Sequence, residues 1–250
     1  MSSPASPAAA APLEEPKIVD RRFIARGQPG ERAPTAAPRE YRTASHVRLH
    51  QGRSLVRQRR GAEQPGLADD MLRVEELEAV LPSMTGWRVP GGRSLDWAAL
   101  EAVLRAALPS DFRCLAEAYP VLVIDDFLTV YVPRPGTEAF WASESREDEI
   151  LQDLYEMGDT EGYVPFPQPG GLICWAVSNS GDSLYWRTSP ADPDAWPVVV
   201  RGDNGDWSEF PVGAVEFLAG VYGRTIDVPG MPRDFPSDDP QVLGLSDDID

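Results

Sequence analysis

GLICWAVSNSGDSLYWRTSPADPDAWPVVVRGDNGDWSEF, residues 171–210, is the stretch on which the fold turns. Four short β-type runs, Gly171 to Val177, Ser183 to Thr188, Val198 to Arg201 and Asp206 to Phe210, are punctuated by Asn179-Ser180-Gly181-Asp182 and Asp203-Asn204-Gly205-Asp206. Asn and Asp beside Gly supply the positive φ angles and local side-chain bonds that tight hairpins need. The stretch therefore predicts an antiparallel meander. Its four tryptophans, Trp175, Trp186, Trp196 and Trp207, are either core residues carrying large buried areas or anchors of an interface.

Working outward, the texture upstream is helical. MLRVEELEAVLP, residues 71–82, sets Leu72, Leu77, Val80 and Leu81 at loose helical spacing and stops at Pro82. Asp96 is placed to cap a helix with the stripe Trp97, Leu100, Val103, Leu104 and Leu108, and Glu101 with Arg105 forms an i,i+4 pair on its outer side. Pro109 ends it and starts a helix with Phe112, Leu115, Ala116 and Tyr119 on one face. Val121 to Ile124 and Phe127 to Val132 read as strands around an Asp125-Asp126 turn. A helix is expected over 138–157, with Phe140, Trp141, Ile150, Leu151, Leu154 and Tyr155 on its apolar face and Glu144, Glu147, Asp148, Asp153 and Glu156 outside. A closing helix runs from Val212 to Tyr222, before Gly223. Helices, then a meander, then a helix make an α+β domain: an antiparallel or mixed sheet packed by N-terminal helices and one C-terminal helix.

Charge and composition set the boundaries. Residues 1–70 hold 12 Lys and Arg against 8 Asp and Glu (+4), whereas 71–250 hold 11 against 32 (−21), which together make the net −17. All seven Trp and 20 of the 22 aromatic residues fall in 71–250, so the side chains able to bury large apolar area begin near residue 70. Residues 1–70 are expected to be a disordered tail, Pro/Ala-rich and then basic: prolines recur too often for regular structure, and His46 to Arg60 holds five arginines and no acid. That basic stretch is either a solvated tail, a tether to nucleic acid or membrane, or a contact for the acidic domain of the same chain. The domain itself is expected over 71–235, with 236–250 a proline-punctuated acidic tail. No run approaches the roughly 18 apolar residues of a membrane span, the N-terminus lacks a basic leader, and two cysteines make no disulfide framework, so the expectation is a cytoplasmic protein without a membrane partner.

A shortage narrows the chemistry. His46 and His50 are the only histidines and Lys17 the only lysine, so residues 71–250 contain neither type. A Ser-His-Asp triad, a Cys-His pair, a Schiff-base lysine, a His-ligated metal and a P-loop lysine are all ruled out there. Cys114 and Cys174 sit in apolar contexts and read as small buried residues. Carboxylates could still hold Mg²⁺ or act as a hydrolase pair, the candidates being Asp125 with Asp126, Asp192 with Asp194, and Asp203 with Asp206. The loop from Asp203 to Asp206 lacks calcium-loop order and reads as a hairpin turn. No cofactor or metal is expected, and a carboxylate-dependent hydrolase is the enzyme alternative.

The run PFPQPGGLICWAVSNSGDSLYWRTSPADPDAWPVVV, residues 165–200, followed by Asp206-Trp207 and the VEFLAGVY helix, resembles the SMI1/KNR4 family, also called the SUKH superfamily. LDWAALEAVLRAALPSDFRCLAEAYP, residues 95–120, is similar to its entry helices with a Leu-Pro-x-Asp-aromatic corner, and IDDFLTVYVP to its first strands. The pattern is carried by Gly170, Gly171, Trp175, Gly181, Trp186, Trp196 and Trp207, and the resemblance covers about residues 86–225. It implies protein binding rather than catalysis. Bacterial members are typically immunity proteins that neutralise toxins, often nucleases, of polymorphic toxin systems; fungal relatives regulate cell-wall synthesis through protein contacts. The expectation is therefore a non-enzymatic immunity protein whose partner is a basic nuclease toxin, with a regulatory scaffold for a non-toxin partner as the alternative. The expected partner-binding face is Asp125, Asp126, Asp182, Asp192, Asp194, Asp203 and Asp206, and the acidic helix within 138–157 is the competing face.

Overall fold

The computed structural model describes residues 67–146 and 149–247. The N-terminal segment up to residue 66, including the basic stretch His46 to Arg60, lies outside the described residues, as do Glu147 and Asp148. Helix α1 (Leu67–Val80), a 3₁₀ turn (Pro82–Trp87), α2 (Trp97–Leu104) and α3 (Ser110–Ala118) precede the hairpin β1 (Val121–Ile124) and β2 (Leu128–Val130). Over 138–157, where one helix is expected, the described helical residues are α4 (Glu138–Arg146) and α5 (Glu149–Met157). The meander follows as β3 (Leu172–Ser178), β4 (Ser183–Arg187), β5 (Val198–Arg201) and β6 (Trp207–Phe210), then α6 (Ala214–Tyr222) and β7 (Val242–Leu245).

The seven strands form one sheet in the order β6-β5-β4-β3-β2-β1-β7, and every pairing is antiparallel. The α+β architecture expected from the sequence is therefore present, and the sheet is antiparallel rather than mixed. On its first face, Ile173, Trp175, Leu184, Trp186, Val198 and Val200 pack in one cluster with Val74 and Leu77 of α1, Phe112 and Leu115 of α3, and Val215 and Phe217 of α6. A register shift between Cys174 and Ala176 makes Trp175 the extra residue of a bulge, so Trp175 and Ala176 both turn into this core. Trp175 and Trp186 stack with centroids 5.6 Å apart, and the Phe112 ring meets Trp186 edge-on at 4.7 Å.

The second face carries a smaller cluster: Leu151 of α5 packs with Leu172, Cys174, Tyr185 and Val199, and Tyr163, Val177 and Trp207 close it from the sides. Tyr163 stacks on Trp207 at 5.0 Å.

Local details depart from the sequence reading. α1 begins at Leu67, inside the segment assigned to the tail. Its buried line is Asp70, Val74 and Leu77, continued by Leu81 just past its end, whereas Leu72 is 54% exposed. α2 stops at Leu104 because Arg105 turns left-handed at φ 57°, so Arg105 leaves the helix and Glu101 pairs instead with Arg113 at 3.3 Å.

The largest departure is at the C-terminal end. Residues 242–245, assigned to an acidic tail, form a strand on the free edge of β1, with Val121 opposite Leu245 and Ile124 opposite Val242. Edge pairing supplies the backbone bonds that an open β1 would lack. Side chains hold the strand as well. Trp87 donates to the Val242 carbonyl at 2.7 Å and lies over Gly244, where any Cβ would come within 2.7 Å of the indole. Arg93, whose side chain is 2% exposed, forms a bidentate pair with Asp247. The same guanidinium donates to the carbonyls of Ala116, Tyr119 and Pro133, so all five of its N–H donors are used.

Candidate partner-binding faces

The seven aspartates expected to form one binding face fall into two separate groups. Turns after β1, β3 and β5 emerge at the same end of the sheet, which brings Asp125, Asp126, Asp182, Asp203 and Asp206 together. Asp192 and Asp194 lie in the β4–β5 connection at the opposite end, beside α3. There Asp194 accepts from the backbone N–H of Ser110 at 2.7 Å, and Asp192 caps a short 3₁₀ turn by accepting from Asp194 N–H.

Within the turn group, two of the five acids, Asp125 and Asp182, tie their own turn to another part of the chain. Asp182 is 2% exposed. One carboxylate oxygen receives the Ser178 hydroxyl at 2.5 Å, and the other receives the backbone N–H of Asp203 at 2.9 Å. It thereby ties the β3–β4 turn to the β5–β6 turn. Asp125 and Asp126 occupy left-handed positions at φ 60° and 52°, the two central residues of a tight hairpin turn closed by Phe127 N–H on the Ile124 carbonyl. Asp125 accepts from both the backbone N–H and the hydroxyl of Ser237, at 2.7 and 2.6 Å, and so fixes the segment leading to β7. Asp126, Asp203 and Asp206 remain exposed. Asp206 is bonded to Asn204 across its own turn, as the hairpin reading of that loop expects.

The motif residues sit where packing needs them. Trp175 and Trp186 are fully buried, and Trp196 is 4% exposed, with its indole N–H on the Pro190 carbonyl at 2.8 Å. Trp207 is half-buried on the second face. Gly170 and Gly181 hold φ +74° and +103°, and a Cβ at Gly171 would come within 2.6 Å of the Phe166 backbone. These constraints are conformational and steric.

Buried carboxylates elsewhere also serve the fold. Asp111 accepts from Val215 N–H at the start of α6 and from Phe112 N–H; burial pushes its carboxyl up to about 6, against the lowering effect of those two bonds. A groove of about 650 Å³ between α2 and α4 has two carboxylates in its lining, Asp96 and Glu138. Asp96 caps α2 through Ala99 N–H, and Glu138 accepts from Asp96 N–H. Burial likewise raises the Cys114 thiol to about 11. Among the described residues no three His, Cys, Asp or Glu converge to hold a metal ion, and no helix is long and apolar enough to cross a membrane.

α5 differs from both aspartate groups. Glu149, Asp153 and Glu156 are exposed along it, and Asp159 and Glu161 are exposed just beyond. Ile150, expected on the buried side, stands 56% exposed, and Met157 65%. The sequence reading missed this pair because Ile150 and Leu151 both fit an apolar stripe through Leu154; only the packing of Leu151 on the sheet decides between them. No family model, no curated protein and no solved structure matches the chain.

Proposed function

We propose that the protein is a non-enzymatic, cytoplasmic protein-binding module, and specifically an immunity protein that neutralises a basic nuclease toxin of a bacterial polymorphic toxin system. The observation that carries this reading is how the charge is distributed. Six arginines, Arg73, Arg88, Arg93, Arg113, Arg187 and Arg224, are each paired with a carboxylate. The buried acids Asp111, Glu138 and Asp182 are engaged by hydrogen-bond donors within the fold. Acids outnumber bases by 32 to 11 in residues 71–250, and exposed carboxylates such as Asp126, Asp203 and Glu149 carry part of that excess. Such a surface attracts a cationic one over long range, and a nuclease presents a cationic surface because it binds phosphates. Blockade would then be steric and electrostatic, with no bond made or broken. The resemblance to the SMI1/KNR4 pattern supports the same reading.

The test is genetic and kinetic. A toxin encoded beside this gene is expected to kill cells unless the full chain is co-expressed, and the association rate of the two proteins is expected to fall steeply with added salt. Absence of any toxin neighbour, together with stable association with an ordinary cellular protein, would replace immunity by the scaffold function.

A further inference from the structure

α5 holds the sheet with one side only. Leu151 is 1% exposed within the second-face cluster, and Leu154 is half-buried. At about 100° per residue, Ile150, Leu154 and Met157 fall on one line, at i, i+4 and i+7. Glu149, Asp153 and Glu156 fall at the same spacing on the neighbouring line, away from the sheet. The helix therefore presents, side by side, a buried seam, an exposed aliphatic edge and an acidic crest.

Among the described residues, no ion pair engages the acidic line, and Ile150 and Met157 stand open on the aliphatic one. Residues 149–161 contain five acids and no base, and no ion pair among the described residues engages any of the five. Glu156 receives one neutral hydrogen bond, from Gln152 at 2.9 Å. Single exposed apolar side chains are ordinary on a protein surface, but two apolar chains more than half exposed on one line, flanked by a line of exposed acids, make a two-part surface.

We propose that this edge of α5 is the docking surface for a cationic protein partner, whose basic side chains meet Glu149, Asp153 and Glu156 while its apolar residues cover Ile150 and Met157. The proposal rests on the binding-module reading and gives it a location. Charge selects the occupant: the acidic region of a second copy, at −21 over residues 71–250, would bring the same acids against themselves, and an anionic lipid surface would be repelled as well. The acids set the rate of encounter, and the aliphatic pair sets how long the complex lasts.

The experiment uses the full chain and two probes, a short amphipathic peptide of lysine and leucine and a lysine-only peptide of equal charge, with affinities read by fluorescence anisotropy. Ile150→Ser with Met157→Ser is expected to weaken the lysine–leucine peptide about tenfold and to leave the lysine-only peptide unchanged. Glu149→Gln with Asp153→Asn and Glu156→Gln is expected to weaken both. Unchanged affinities in both variants would overturn the assignment to α5 while leaving the binding-module reading intact, as would a larger loss on Asp203→Asn with Asp206→Asn. Failure of the unaltered chain to bind either peptide at low salt would count against the cationic-partner reading itself. Unchanged melting temperatures in the variants would show that the fold is preserved.

Discussion

The turn end of the sheet and the exposed edge of α5 are both acidic, yet their acids have different roles. At the turn end, Asp182 is buried between two hairpins and Asp125 is clasped by Ser237, so these charges are part of how the backbone is held. On α5, Glu149, Asp153 and Glu156 face solvent beside Ile150 and Met157, and no ion pair among the described residues engages them. Counting acids in a sequence cannot separate these cases. The presence or absence of a backbone donor opposite each carboxylate can.

That contrast breaks most visibly at Asp182. Asp182→Ala is expected to destabilise the domain by about 3 kcal/mol in urea unfolding, because it strands the buried Ser178 hydroxyl and the part-buried Asp203 N–H; a loss within the range of a surface substitution would erase the distinction. Asp111 extends the structural class into a pH dependence. Its carboxyl is raised from the usual 3.8 to about 6, so the folded state binds the extra proton between those values and this group's contribution to stability falls as pH rises through them. Acidification from about pH 7 to about pH 4.5 should recover about 2 kcal/mol at this site. Comparing unfolding midpoints of Asp111→Asn with the unaltered chain across that range should reveal it as a flatter profile for the variant.

A smaller effect is expected at Asp125. Asp125→Ala removes both bonds to Ser237 and should cost about 1 kcal/mol, with hydrogen exchange accelerated in residues 237–245 before the rest of the sheet. Least of all, Ile150→Ser with Met157→Ser should change stability by no more than about 0.5 kcal/mol. A large destabilisation there would mean that the aliphatic edge serves the fold after all.

Local chemistry was the legible part of this chain. Asn179 to Asp182 and Asp203 to Asp206 announced their hairpins because positive φ and side-chain-to-backbone bonds are properties of a few adjacent residues. Phe112, Leu115, Ala116 and Tyr119 announced a buried helix face for the same reason, and all four are 0% exposed. What stayed hidden depended on distant partners. Val242 to Leu245 is four residues long amid prolines and acids, and only β1 makes a strand of it. Nothing in the residues around Arg93 points to the three carbonyls and Asp247 that converge on it. Asp182 was assigned to the binding face because a sequence cannot say which of several turn acids meets the N–H of a neighbouring turn. On α5, helical periodicity admitted two buried faces, and the sheet selected one.

The pairing of β1 with β7 also constrains the order of events during synthesis. Val121 is made 124 residues before Leu245 (245 − 121), its partner in register, so β1 has an open edge and Arg93 lacks its carboxylate partner Asp247 over that interval. The emerging chain would be held short of its final state until β7 and Asp247 arrive. Nascent chains stalled before residue 242 would then be the aggregation-prone form of this protein, and release of the final strand the step that makes it safe.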